Sequence, residues 1–131
     1  MPQKTAVAPD SLARPFGVWT PAILSEPGRL LFISGMVART NDGNVVGEGD
    51  YTVQTRQVCE NIKAAVEAAG GTLSDIVQVS VFVLDLDAFS EIHAVRRTYF
   101  PELPPASTMV QVSRLVDRRC LIEMNAIAVI E

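Results

Sequence analysis

The segment from Cys120 to Val129 constrains the fold more than any other, because it is almost continuously apolar. A run of this kind is typical of a strand that is covered on both faces. Two polar residues interrupt it, Glu123 and Asn125, and the two-residue period of a strand places both on one face. A carboxylate in such a setting needs hydrogen-bond partners, since an isolated buried charge is costly. Glu123 is therefore the first candidate for a functional residue.

The preceding segment, Ser107 to Leu115, alternates with a period of two and predicts a strand that a charged turn joins to the first one. One face of this predicted strand carries Ser107, Met109 and Gln111. The other face carries Thr108, Val110 and Val112.

Length and composition favour one globular domain spanning residues 1–131. The chain has 131 residues, of which 48% are hydrophobic and 20% charged, enough for a real core. The net charge is −4, with 15 acidic against 11 basic residues, so nucleic acid and anionic membranes are poor candidate partners. No apolar leader and no run of about 20 apolar residues is present, which predicts a cytoplasmic protein.

The chain contains two cysteines, Cys59 and Cys120, and one histidine, His93. Both cysteines fall inside predicted regular elements, which favours buried reduced thiols over a disulfide or a nucleophile. One His and two separated Cys do not make a zinc site, and we predict no metal.

The first half of the chain predicts three strands. The segment Phe16 to Ile23 predicts an irregular edge strand, because Pro21 cannot donate to a ladder. Arg29 to Val37 predicts a buried strand, and a short return strand runs through Val45 and Val46. Gly35 interrupts the buried strand, which indicates either a simple bulge or a place where another group approaches the backbone closely.

Helical spacing of apolar residues predicts a helix from Tyr51 to Ala69 and a second one after Asp85, with Phe89, Ile92, Val95 and Tyr99 as its buried stripe. Between them, Ile76 to Leu84 is apolar on both faces and predicts a central strand. The order of elements predicts an α+β fold in which two helices pack on one face of a mixed sheet. The opposite face is left uncovered, which predicts self-association.

Blocks along nearly the whole chain resemble the YjgF/Rid family of reactive-intermediate (enamine/imine) deaminases. The matching blocks are Trp19 to Ala22, Phe32 to Gly35, Thr55 to Gly70, Asp75 to Leu86, Pro105 to Val112, Ile122 to Glu123 and Ala126 to Val129. The resemblance implies a chorismate-mutase-like protomer, assembled as a homotrimer with a pocket at each subunit interface. It also implies hydrolysis of a 2-imino or 2-enamino acid to a keto acid and ammonia, without a cofactor.

The same resemblance assigns roles to individual residues. The acidic residue of the family falls on Glu123, its strand Ser-Gly on Ser34 and Gly35, and its aromatic pocket wall on Trp19. Ser34, Thr108 and Glu123 are expected on adjacent strands, where rigid backbone can hold a small constellation.

One departure from the family concerns the carboxylate of the substrate. Where deaminating members place Arg, this chain has Ser107, and Met109 stands where many have Cys. A serine hydroxyl cannot form a bidentate charge-assisted pair, which argues against the standard 2-imino acid activity. Arg14, Arg39 or Arg114 could replace the missing guanidinium, although each is an ordinary surface charge on the simpler interpretation. The remaining candidate is His93, where the family often has Asn; a lone His of this kind is more often a surface or interface residue than a catalyst.

Two interpretations remain open. The first is a deaminase-like hydrolase of a small unstable enamine or imine, with Glu123 activating water and Ser34, Gly35, Ser107 and Thr108 positioning substrate. The second is a trimer that binds a small metabolite in the same pocket without turnover.

Overall fold

The computed structural model describes residues 3–131 as an α+β fold. The helices and strands, in chain order, are β1 (Lys4–Ala6), β2 (Ile23–Ser25), β3 (Arg29–Met36), α1 (Tyr51–Ala68), β4 (Ile76–Val83), α2 (Phe89–Tyr99), β5 (Ala106–Gln111) and β6 (Ile122–Ile130). Single 3₁₀ turns precede β4 and α2. No helix among residues 3–131 is both long and apolar enough to cross a membrane.

The main sheet has four strands in the order β3-β6-β4-β5. β6 is antiparallel to both of its neighbours, whereas β4 and β5 are parallel and α2 forms the crossover between them. The sheet is therefore mixed, as predicted, and β6 and β4 are its central strands. β1 and β2 form a separate two-stranded antiparallel sheet.

Both helices pack on one face of the main sheet, which confirms the predicted arrangement. Asp50 caps the N-terminus of α1, and its carboxylate accepts a hydrogen bond from the Val53 amide at 3.1 Å. Its fully buried Ile62 and Val66 belong to the same core as Met124 of β6. The apolar spacing that predicted α1 thus marks the stripe that faces the sheet. In α2, Ile92 and Val95 of the predicted stripe are buried, whereas Phe89 and Tyr99 are half-buried.

The opposite face of the sheet carries no helix of this chain, and large apolar side chains lie exposed on it. Leu30 and Phe32 of β3 are 62% and 71% exposed, and Val110 of β5 is 41% exposed. Strand alternation places these side chains opposite the core side. We call this surface, with the β6 residues that share it, the uncovered face.

The N-terminal segment differs from the prediction. Residues 16–22 form no strand, and regular pairing starts only at Ile23 and uses Lys4–Ala6 as its partner. The reason is tertiary, because the backbone groups of this segment bond elsewhere: the Thr20 amide donates to the Pro105 carbonyl at 3.2 Å. The predicted return strand at Val45 is also reduced to a single bridge with Arg39.

Candidate active site

A cavity of about 400 Å³ opens on the helix side of the main sheet, between α2, β5 and the irregular segment at residues 16–19. Its lining combines three aromatic side chains and a leucine with three polar groups and a thioether. The lining residues are Phe16, Trp19, Leu86, Phe89, His93, Arg96, Ser107 and Met109. Trp19 and Ser107, two residues singled out from the sequence, therefore lie at one site.

Contacts among the rings fix the aromatic wall of this cavity. The ring of His93 stacks on Phe89 with 3.8 Å between centroids, and Phe16 meets Trp19 edge to face at 4.6 Å. Gly17 lies against this wall so closely that a Cβ there would come within 2.3 Å of His93 Nε2. A residue without a side chain is thus required at position 17.

Arg96 supplies the cation of the cavity, although it is only 1% exposed. Its guanidinium Nη2 donates to the Val18 carbonyl at 3.1 Å and to Ser107 Oγ at 3.0 Å. The Nε atom is buried without a hydrogen-bond partner. Burial lowers the pKa of Arg96 to about 10, so the side chain stays protonated at neutral pH.

His93 is neutral at this site. Burial, and secondarily the nearby Arg96 charge, lower the pKa of His93 to about 4. The Phe89 carbonyl acts in the opposite direction, but its geometry falls short of a hydrogen bond, and neither ring nitrogen has a partner. The imidazole therefore forms part of the cavity wall without adding charge to it.

This neutral state predicts a pH dependence of stability. The pKa of His93 is lower in the folded chain than in the unfolded chain. The contribution of this shift to the free energy of unfolding is therefore complete above about pH 6.5 and is lost as the pH falls towards 4. With allowance for solvent screening, the loss is about 1–2 kcal/mol. We expect the free energy of unfolding, measured with urea between pH 4 and 7, to depend less on pH in His93→Asn than in the wild type. The carboxyl groups are the same in both proteins, so an equal dependence on pH in the two would contradict the assignment.

Glu123 lies on the uncovered face, next to Gly35. An ideal Cβ on Gly35 would come within 2.2 Å of Glu123 Oε2, so the carboxylate rests directly on the Gly35 backbone. The pairing of β3 with β6 shifts register between Ile33 and Met36, which makes Ser34 and Gly35 a bulge. Both alternatives considered for Gly35, a bulge and a close approach, are therefore realised together.

The register of the strands separates Ser107 from Glu123. Ser107 lies opposite Val79, which is 1% exposed under the helices, whereas Glu123 lies opposite Phe82 on the other side of the sheet. Residues directly paired across strands share a face. Within one chain, the Ser107 hydroxyl and the Glu123 carboxylate thus point to opposite faces of the sheet.

Thr108 needs a related correction. It shares the uncovered face with Glu123, but β5 is adjacent to β4 and not to β6, so the two residues do not lie on neighbouring strands. Thr108 instead pairs with Ser80, whose amide donates to Asn125 Oδ1 at 3.2 Å. Only Ser34 and Glu123 of the expected constellation occupy adjacent strands.

The three arginines considered as replacements for the family guanidinium lie outside the cavity lining. Arg14 is exposed, Arg39 Nε donates to the Gly43 carbonyl at 3.3 Å, and Arg114 Nε donates to the Leu115 carbonyl at 3.4 Å. Among residues 3–131, no group of three His, Cys, Asp or Glu side chains is placed to hold a metal ion.

Sequence reasoning missed Arg96, which occurs in the sequence as part of a short basic pair. A signal for it was present, because Arg96 follows Ile92 by four residues and Val95 by one, inside the apolar stripe of α2. A charged residue in such a stripe is buried with the stripe. Phe16 was missed as a lining residue because the conformation at residues 16–19 could not be predicted. Leu86 was missed as well, and Phe89 was assigned to the buried stripe of α2 although it lines the cavity.

Both the sequence and the fold are similar to those of known proteins. Residues 10–130 match the family model described as Endoribonuclease L-PSP. A RutC family protein of Pyrococcus horikoshii is 39% identical over 125 residues, which cover 95% of this chain and 97% of that protein. The structure of the Rid family protein YyfB from Yersinia pestis, described as of unknown function, has a TM-score of 0.89 at 30% identity, with 97% of this chain and 98% of that chain covered. RidA from the Antarctic bacterium Psychrobacter has a TM-score of 0.73 at 30% identity, with 96% and 99% covered.

Proposed function

Because the chain belongs to the YjgF/Rid family, we propose that it is a cofactor-free hydrolase of a small reactive enamine or imine. The observation that carries this proposal is the Glu123 carboxylate held on the Gly35 backbone at a bulge of a rigid sheet. A general base in this chemistry must be held close to the attacking water, and rigid strands hold a side chain better than a loop does.

The reaction consists of two proton-coupled steps. Glu123 takes a proton from water as the oxygen adds to the carbon of the protonated imine, which gives a neutral carbinolamine. Glu123 then gives this proton to the amino group, and it takes up the hydroxyl proton as the C–N bond breaks, so that ammonia leaves and the C=O bond forms. Transfer of that last proton to ammonia or solvent regenerates the carboxylate. Gly35 lies against the carboxylate and, with Ser34 beside it in the bulge, positions the substrate, while Trp19 and Ser107 belong to the cavity on the other side of the sheet.

The site is completed, in this proposal, by a second copy of the chain. One copy holds the cavity and another presents Glu123, so that neither face carries a whole site alone. The exposed Leu30 and Phe32 of the uncovered face provide apolar area for this contact. The assembly is a homotrimer with three such interfaces, acting on a small metabolite in the cytoplasm and not on nucleic acid.

Keto-acid release tests the proposal. We expect the protein to accelerate release of 2-oxobutanoate from 2-iminobutanoate generated in the assay, and Glu123→Gln to reduce this acceleration about a hundredfold, as expected for loss of a general base. Glu67→Gln, an exposed substitution of the same kind on α1, serves as the control and should leave the rate unchanged.

Other outcomes would redirect the assignment. If 2-iminobutanoate and 2-iminopropanoate are both released at the background rate while the protein binds 2-oxobutanoate, the trimer binds a metabolite without turnover. Acceleration that survives Glu123→Gln in full would exclude Glu123 as the base.

A further inference from the structure

The cavity contains a buried guanidinium whose charge no acidic residue balances. Arg96 is 1% exposed, lines the cavity, and keeps its Nε atom without a partner. The two hydrogen bonds of Arg96 are to uncharged oxygens, the Val18 carbonyl and the Ser107 hydroxyl. No carboxylate among residues 3–131 lies within ion-pair distance of it. Removing an unpaired charge from water is expensive, so an anion that enters this cavity gains strongly from pairing with it.

The neighbouring titratable groups do not supply that anion. Cys59 lies near enough to feel the Arg96 charge, but burial raises the pKa of its thiol to about 12, so the thiol stays protonated. His93 is neutral at physiological pH and adds no second cation. The described cavity therefore carries one positive charge within aromatic walls.

We propose that Arg96, reaching the cavity from α2, is the anion anchor of the site, and that its ligand is a small monocarboxylate with an apolar remainder. This inference rests on the proposed function, which identifies the cavity as the substrate site. It implies that the substrate carries a carboxylate, although Ser107 stands where the family has Arg. The apolar remainder packs against the aromatic wall that Phe16, Trp19 and Phe89 form. A phosphate dianion suits the cavity poorly, because a single cation and apolar walls leave most of its oxygens unpaired.

In this proposal Ser107 does not replace an arginine but orients one. Its hydroxyl accepts from Arg96 Nη2 and thereby orients the guanidinium, and it keeps a proton to donate to the ligand. An arginine introduced at position 107 would stand beside Arg96 in the same cavity, and the two like charges would repel. Ser107→Arg is thus expected to weaken carboxylate binding, not to restore it.

The test measures binding apart from turnover. Isothermal titration compares 2-oxobutanoate, butanoate and the uncharged butanamide on the wild-type protein and on Arg96→Met, which keeps most of the side-chain volume. We expect butanoate to bind wild type at least tenfold more tightly than butanamide, and Arg96→Met to lose at least tenfold in affinity for both acids with little change for the amide. Arg97→Met is the matched control, because it removes the same charge from the exposed face of the same helix and should leave all affinities unchanged.

Several outcomes would overturn the inference. Equal affinity of wild type for butanoate and butanamide would do so without any variant, so the inference stays testable even if Arg96→Met does not fold. Unchanged acid affinity in folded Arg96→Met would also overturn it. Binding that depends on Arg96 without keto-acid release would support the role of Arg96 and refute only the proposed hydrolysis. Keto-acid release that Arg96→Met does not change would support the hydrolysis and refute the role of Arg96.

Discussion

Phe32→Asp is expected to separate the copies of this protein and to lower keto-acid release at least a thousandfold, while each chain stays folded. Phe32 is 71% exposed on the uncovered face, so the substitution removes no packing from the core of the single chain. In the proposed trimer the same side chain becomes buried, and an aspartate there would carry an unpaired charge into an apolar contact. Turnover is lost because one chain holds Ser107 and Glu123 on opposite faces of its sheet.

Light scattering during size exclusion, circular dichroism and the keto-acid assay together check this expectation. Leu24→Asp is the control, because Leu24 is similarly exposed, at 67%, but lies on the separate two-stranded sheet. It should keep the mass and the activity of the wild type. A wild-type protein with the mass of one chain, or a Phe32→Asp trimer with full activity, would contradict the interfacial site.

The elements that the sequence predicts well are those whose pattern is local. The predicted helix from Tyr51 to Ala69 agrees with the observed Tyr51–Ala68, and the predicted strand from Ile76 to Leu84 agrees with Ile76–Val83. In both segments the spacing of the apolar residues is enough to predict the element, and these residues are the ones that the fold buries. The two faces of β5 were also predictable, since alternation alone separates Ser107 and Met109 from Thr108.

The parts that could not be predicted depend on register and tertiary contact. Alternation says which residues of one strand share a face, but only the pairing of Ser107 with Val79 shows that Ser107 faces the helices. The segment at residues 16–22 carries a strand-like composition, yet its backbone bonds to groups outside any strand ladder, the Val18 carbonyl to Arg96 and the Thr20 amide to the Pro105 carbonyl. Neither contact has a sequence signature.

Gly35 connects the fold with the chemistry, and Gly35→Ala tests that connection. The φ angle of Gly35 is not positive, so alanine fits the backbone there and the only obstacle is its Cβ, 2.2 Å from Glu123 Oε2 and 2.9 Å from Cδ. No real Cβ tolerates such distances, and the carboxylate must move away. Since a displacement of about 1 Å in a catalytic group costs about a hundredfold in rate, we expect a loss of that size with a change of less than about 1 kcal/mol in stability.

Gly71→Ala separates this effect from simple crowding by a methyl group. A Cβ on Gly71 would also meet a carboxylate oxygen, Asp75 Oδ2 at 2.8 Å, together with buried Ile130 at 3.0 Å, but this position lies away from Glu123. Gly71→Ala should therefore lower the urea midpoint and leave keto-acid release per folded molecule unchanged, the reverse of Gly35→Ala. If Gly35→Ala turns over at the wild-type rate, the contact between Gly35 and Glu123 does not position the base. If it loses activity only in proportion to unfolding, the contact is structural.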